Sequence, residues 1–217
     1  MSAQEKPPLG SGGMTSRGPM RLRLRALAEE LPSARLASFG PCELLTEGRS
    51  HVKVLASAHL LKALLRAELF SSLWEDGGFL IGRAYSDLDC DGDAYIVTLN
   101  AAPRASATRA SGVHLTYTGD SFTEVKRSLR EEFPEQQLVG WYHTHLFAAE
   151  EEMGLSGVDL RLHFSTFRQH WQIAGLINLV PGKPPVLRFY AGDGGTMILC
   201  SLYCQYSSMS EGIQRNL

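Results

Sequence analysis

The sequence predicts an α+β fold: a mixed α/β/α arrangement in which a curved mixed β-sheet is flanked by helices. Three observations predict it. Apolar strand-length runs and amphipathic helical stretches both occur along the chain. They are mixed without the regular strand–helix–strand alternation of a doubly wound parallel sheet. The 217 residues, 44% hydrophobic and 20% charged, suit one domain with a sizeable core.

Residues 1–20 are rich in Gly, Pro and Ser with little apolar content, and a disordered tail is expected there. Residues 21–49 form an N-terminal extension that reads two ways. Arg21 to Arg25 alternates like a strand, whereas Ala26 to Leu31 has helical character that Pro32 breaks. The main folded domain is assigned to residues 50–217.

Within it, HVKVL (51–55) reads as a short strand. Leu60, Leu61, Leu64, Leu65, Leu69 and Leu73 give Ala56–Trp74 one apolar helical face. GGFLIGRAYS and DAYIVTLNAA read as two strands around an Asp- and Gly-rich turn, and HLTYTG as another. Ser121 to Glu124 is a capping box that opens a helix to about Phe133, just before Pro134. LVGWYHTH is an apolar strand, and a helix is expected from Ser156 to about Gln169. WQIAGLINLV is a strand ended by Pro181 and Gly182. VLRFY and TMILCSLYCQY complete the set. No internal repeat is visible.

The net charge of −2 gives no reason to expect nucleic acid. The charge is nevertheless uneven. Residues 1–36 carry six Lys/Arg against three Glu, whereas residues 131–159 carry six Glu, one Asp and no Lys or Arg. That acidic stretch would favour a cation or a basic substrate segment, and Glu150, Glu151 and Glu152 read equally well as a solvated loop. Four scattered cysteines (Cys42, Cys90, Cys200 and Cys204) are too few for a disulfide framework, and a reducing cytoplasm is expected. No apolar run is long enough to span a membrane, and the N-terminus lacks the apolar core of a secretory signal.

The segment LVGWYHTHLFAAEEEMGLSGVD holds two imidazoles, a hydroxyl and a carboxylate within 17 residues, His143 to Asp159. Residues i and i+2 of a strand share a face, so His143 and His145 project together while Thr144 points into packing. Ser156 and Asp159 lie one turn apart at a helix start. A loop could bring Asp159 to the same metal as a third ligand. Three protein ligands and an open fourth position define a catalytic rather than structural zinc site. Neutral imidazoles and a carboxylate suit Zn²⁺, though not uniquely. No Glu follows the histidines as in HExxH, so a general base must come from elsewhere. Glu75 is the candidate, at a helix end before the glycines 77 and 78.

These residues resemble the JAMM (MPN-plus, JAB domain) metalloproteases, deubiquitinase-like enzymes with prokaryotic members. That family's pattern is a Glu before a Gly-rich strand, then His-x-His, then Ser-x-x-Asp. Glu75 with Gly78, Leu80 and Gly82 matches the first part. Gly140 to His145 matches the second, and Leu155 to Asp159 the third. Trp171 to Ala174 is similar to the strand after the family's active-site helix, and the resemblance covers roughly residues 50–205. It implies a cytidine-deaminase-like core, with His143, His145 and Asp159 as zinc ligands. Glu75 is then general base and acid, and Ser156 an oxyanion donor whose loss typically costs about 10²–10³ in rate. The implied substrate is the bond after the C-terminal Gly-Gly tail of a ubiquitin-like protein or its conjugate. Neither nucleic acid nor membrane is an implied partner.

Two departures stand out. Leu146 follows the second histidine where the family has Pro, and ten residues rather than seven separate that histidine from Ser156. A non-catalytic MPN-like scaffold, or a zinc hydrolase of a small amide or thioester, are the alternatives. Each piece also has a plain reading: Ser-x-x-Asp is itself a helix capping box. His163, four residues after Asp159, is read as partly buried and inert or as a partner behind the ligands. His51, His59, His114 and His170 are read as ordinary surface or core residues, and Trp141 and Tyr142 as packing. Asp87 to Gly92 begins like a calcium loop, but Thr98 stands where a Glu is needed, so a hairpin turn is expected.

Overall fold

A computed structural model describes residues 30–106, 108–111, 114–147 and 154–206. The tail of 1–20, the segment 21–29 and Glu150, Glu151 and Glu152 lie outside the described residues. Leu31–Leu217 is one compact unit.

The strands are β1 (Ser33–Ala34), β2 (Cys42–Thr46), β3 (Val52–Ser57), β4 (Gly77–Asp87), β5 (Tyr95–Ala101), β6 (Thr108–Ser111), β7 (His114–Tyr117), β8 (Gln137–His145), β9 (Ile173–Asn178), β10 (Val186–Asp193), β11 (Thr196–Leu199) and β12 (Ser201–Gln205). The helices are α1 (Ala58–Leu64), α2 (Gly119–Glu131) and α3 (Gly157–Thr166). The main sheet runs β11-β10-β9-β8-β4-β5-β3-β12-β2, with β1 paired to the far end of β4, and β6 and β7 form a separate hairpin. Parallel pairs (β8 with β9, β3 with β5, β3 with β12) sit among antiparallel ones, so the sheet is mixed. The fold is α+β, as the sequence predicts.

The sheet is curled, and its connectivity explains why. Only Cys200 separates β11, at one edge, from β12, next to the other. A single residue spans so many strand positions only if the sheet turns back on itself. The run TMILCSLYCQY is therefore two strands, broken where the Cys200 amide donates to Phe189 O at 2.8 Å. Strand alternation divides the core. Leu80 and Tyr142 pack with Leu61 and Leu64 of α1 on one face. Phe79, Ile81 and Trp141 pack with Val125 of α2 and Phe167 after α3 on the other. Central strands covered on both faces read as the near-continuous apolar runs seen in the sequence.

Several boundaries differ from the sequence expectation. The helix foreseen over Ala56–Trp74 stops at Leu64, with a single 3-10 turn at Ala67–Leu69. Leu69, Leu73 and Trp74 are exposed, so the apolar stripe beyond Leu65 gains nothing by staying helical. Glu75 therefore lies in a loop, not at a helix end. The cap of α2 is Thr118, not Ser121, because Ser121 is fully buried on the packed face while Thr118 has the extended backbone of a cap. Helix α3 ends at Thr166, short of Gln169. Within the extension expected at 21–49, residues 33–34 and 42–46 belong to the main sheet: β2 pairs with β12 and β1 with β4. The Asp87–Gly92 segment is the turn between β4 and β5, with Gly92 at φ 87°. Asp87 there is buried and bound by Lys53 Nζ at 2.6 Å.

Candidate metal centre

The histidine strand and the glycine strand are neighbours, and their register builds the site. Gly77 of β4 pairs with His143 of β8 in antiparallel register. Two residues upstream, that register sets Glu75 opposite His145. The residue between, Asp76, extends the ladder by one step: the Thr144 amide donates to Asp76 O at 2.8 Å, and the Asp76 amide donates to Thr144 Oγ1 at 2.9 Å. Thr144 was expected merely to pack. Instead its hydroxyl ties the loop that carries Glu75 to the strand that carries both imidazoles.

The rest of that loop is held through the Asp76 carboxylate. It accepts from the Ser71 amide at 2.6 Å and pairs with Arg104 Nη2 at 2.8 Å. Arg104 also donates to Leu69 O and lies over the Phe70 ring, 5.5 Å from its centroid. Gly78 is required here: a Cβ would collide with the Pro103 carbonyl oxygen and the Tyr142 ring, forcing the 103–105 segment off β4. Asp76 and Arg104 escaped the sequence reading. Only their contacts reveal them, although Asp76 adjoins the candidate base.

Asp159 arrives from α3. Ser156 is the N-cap, its Oγ accepting from the Asp159 amide at 3.3 Å, and Asp159 Oδ2 accepts from the Ser156 amide at 2.7 Å. The capping box expected from the sequence is present. Metal ligand and helix cap are not competing roles, because the same carboxylate also faces the histidines. Its Oδ1 is 3.4 Å from His143 Nε2, and its Oδ2 is 3.7 Å from His145 Nε2. The two Nε2 atoms are 2.8 Å apart. His145 Nε2 lies 3.9 Å from Glu75 Oε1. All four residues are buried, at 8% exposure or less. Burial acts to raise the Asp159 carboxyl, but hydrogen bonds from His143, His145 and Ser156 outweigh it and hold the group well below the usual carboxylate range.

The donor set fits a divalent ion. Ligands at about 2.0–2.1 Å in tetrahedral array stand about 3.3 Å from one another, and the three separations here bracket that value. Two nitrogens and one oxygen leave a fourth position open. His143 and His145 present Nε2 inward, while Nδ1 of each ring is buried without a hydrogen-bond partner among the described residues. Aromatic rings fix the imidazoles instead. Trp141 stacks on His143 (centroids 5.0 Å apart) and Phe147 on His145 (4.5 Å). Trp141 is thus packing, as expected, but packing that aims a ligand. His163 is buried and linked to the ligands through Trp141, whose Nε1 donates to His163 Nδ1 at 3.3 Å. Of the other histidines, His51 Nε2 lies 3.1 Å from His170 O and His59 is exposed, while the His114 side chain lies outside the described residues.

The structure therefore brings His143, His145, Asp159, Glu75 and Ser156 to one place. Among the described residues no helix is long and apolar enough to cross a membrane. No protein-family model and no curated protein matches the chain. Among solved structures it is similar to the solution structure of a protein from Desulfitobacterium hafniense, at 17% identity and a TM-score of 0.52, over 75% of this chain and 99% of that one. It is also similar to a Salinibacter ruber protein, at 19% identity and a TM-score of 0.42, over 66% of this chain and 85% of the other. The likeness to the first is one of fold. A buried His-His-Asp group able to hold a metal ion is what the site itself establishes.

Proposed function

We propose that the protein is a zinc-dependent isopeptidase or peptidase of the JAMM/MPN-plus type, acting on the bond after the C-terminal Gly-Gly tail of a ubiquitin-like protein. The curled mixed sheet is then read as the cytidine-deaminase-like core of that family. The observation that carries this reading is the convergence of Glu75 with the three donor side chains, from parts of the chain as distant as residues 75 and 159.

His143 and His145, through Nε2, and Asp159, through its carboxylate, are the residues that would hold the ion. Once bound, the ion supplies Lewis acidity, polarising a carbonyl and bringing the pKa of water to about 7. The chain's own residues do the rest. Glu75, within one water's reach of His145 Nε2, takes the proton of the attacking water and returns it to the leaving amine nitrogen. Ser156 Oγ already accepts from the Asp159 amide, so its hydrogen is available to the oxyanion of the tetrahedral intermediate. Trp141 keeps His143 oriented. A Gly-Gly tail suits a narrow approach beside buried ligands, because extended glycine pairs by main-chain hydrogen bonds without side-chain bulk. The four free cysteines agree with a reducing cytoplasm.

The test joins metal analysis to one substitution. Purified protein should carry about one zinc per chain and cleave a ubiquitin-like Gly-Gly fusion. Glu75→Gln should keep the metal and lose cleavage by at least about 10²-fold, the scale of a general acid–base contribution. Cleavage untouched by that change removes Glu75 from the mechanism. Metal-loaded protein that hydrolyses small amides but no fusion moves the function to the small-molecule alternative.

A further inference from the structure

Next to the Trp141 side of the metal centre lies a cavity of about 300 Å³, bounded by His163, Phe164, Phe167, Arg168 and Gly192 together with the Gly195 turn. We propose that it is a binding site for a small organic anion with a planar apolar body, of which benzoate is the simplest probe. This site does not depend on the hydrolytic reading.

The donor at its base is His163. The ring is 2% exposed, and its Nδ1 accepts from the Trp141 indole at 3.3 Å, so the ring proton sits on Nε2. Among the described residues nothing accepts from Nε2. That atom faces Gly192, where a Cβ would lie 3.6 Å from it and 2.8 Å from Phe164 Cε1. A side chain at 192 would therefore push the Phe164 ring aside and crowd the Nε2–H. The ring is otherwise covered, and Nε2 opens onto the cavity, where an acceptor carried by a ligand can meet it.

Charge and shape narrow the acceptor. Arg168 lines the same cavity; its Nε donates to Ser165 O at 3.4 Å, and its terminal nitrogens have no partner among the described residues. A neutral N–H and a guanidinium together select a carboxylate. Asp193, the only acidic residue on the β10–β11 hairpin, is not part of the lining. Phe167 and Phe164 supply aromatic walls, which favour a flat apolar body over a purely polar ion. The cavity also has a route to the metal centre. Phe167 stacks on His163 and on Trp141, and Trp141 stacks on His143, with interplanar angles of 22°, 25° and 20°. A ligand on His163 Nε2 is thus one indole away from a candidate metal ligand.

The experiment is an NMR titration of the ¹⁵N-labelled full-length protein with benzoate. Acetate serves as charge without ring, benzyl alcohol as ring without charge, and inorganic phosphate as a competing anion. Saturable shifts of the Trp141 indole N–H and the His163 ring are expected, with a Kd of about 1 mM for a ligand of this size. The three controls should bind at least about tenfold more weakly. Arg168→Ala, at an exposed position, should weaken benzoate about tenfold, and Gly192→Ala should abolish the shifts while metal content is unchanged. No saturable shift, phosphate binding as well as benzoate, or full binding by Arg168→Ala would each overturn the proposal. The Arg168 variant keeps the test decisive if Gly192→Ala does not fold.

Discussion

Replacing Thr144 with Val should loosen the loop that carries Glu75 while leaving the histidine strand in place. Valine keeps the shape and exchanges the hydroxyl for a methyl, so the Asp76 amide loses the acceptor it now reaches at 2.9 Å. Leaving a buried donor unmatched costs about 1–3 kcal/mol, and about 2 kcal/mol raises local opening roughly 30-fold. The loss stays local because three other ties remain: the Thr144 amide to Asp76 O, the Ser71 amide to Asp76 Oδ2 and the Arg104 pair. Native-state hydrogen exchange reads it directly. The Thr144 amide, which donates to Asp76 O, and the Ala105 amide, which donates to Gly77 O at 3.0 Å, should both exchange faster. Amides of β3 and β5 should not change. Thr144→Ser should restore the native rates, and metal content should stay at the native level in both variants. On the proposed function, kcat falls at least tenfold in Thr144→Val with KM unchanged, since a displacement of about 1 Å in a reacting group can cost about 10²-fold. Exchange at Thr144 and Ala105 within twofold of native would refute the reasoning, because the hydroxyl would then not be holding the loop.

Other consequences follow from the same contacts. Asp159→Asn keeps an oxygen for the Ser156 amide but loses the charge that the His143, His145 and Ser156 hydrogen bonds favour, so metal-free stability at pH 7 should fall by about 1–3 kcal/mol, while metal affinity, read by chelator competition, should fall by more than about 10²-fold. Equal affinity would remove Asp159 from the ligand set. Burial pushes the His163 imidazole down to about 4, so the folded state holds it neutral. That contribution is intact above the unfolded value near 6.5 and is lost as pH falls through 4, amounting to roughly 2–3 kcal/mol. Urea unfolding of metal-free protein at pH 7.5 and 4.5 should show the drop, and His163→Phe should lack it. Burial also pushes the Cys200 thiol up to about 12, so in folded protein at pH 8 a thiol reagent should modify exposed Cys90 promptly and Cys200 only on unfolding. Prompt labelling of Cys200 in the native state would mean that the β11–β12 break is open to solvent.

Period and local chemistry were enough to place some of this protein. The two-residue repeat of a strand puts His143 and His145 on one face whatever surrounds them, and the Ser156 and Asp159 side chains cap α3 through bonds that span only three residues. The mixed α+β class followed from where apolar runs and amphipathic stretches fall. The early end of α1 did not, because Ser71 gives its amide to Asp76 and Asp76 is held by Arg104 from 28 residues downstream. Nor did the cap of α2, where burial of Ser121 against the sheet overrides a local capping signal. The split of TMILCSLYCQY was hidden for the same reason: a continuous β-forming run says nothing of a sheet that curls beneath it. The meeting of Glu75, the imidazoles and Asp159 was expected from resemblance, but the physical means belongs to tertiary structure. The β4–β8 register sets Glu75 opposite His145, the Thr144 hydroxyl fastens that register one residue beyond the strand, and the docking of α3 turns its capping carboxylate toward both rings. Sequence periodicity records which way a side chain leaves its own backbone; which distant side chain it meets is fixed only when hydrogen-bond register and core packing are satisfied together.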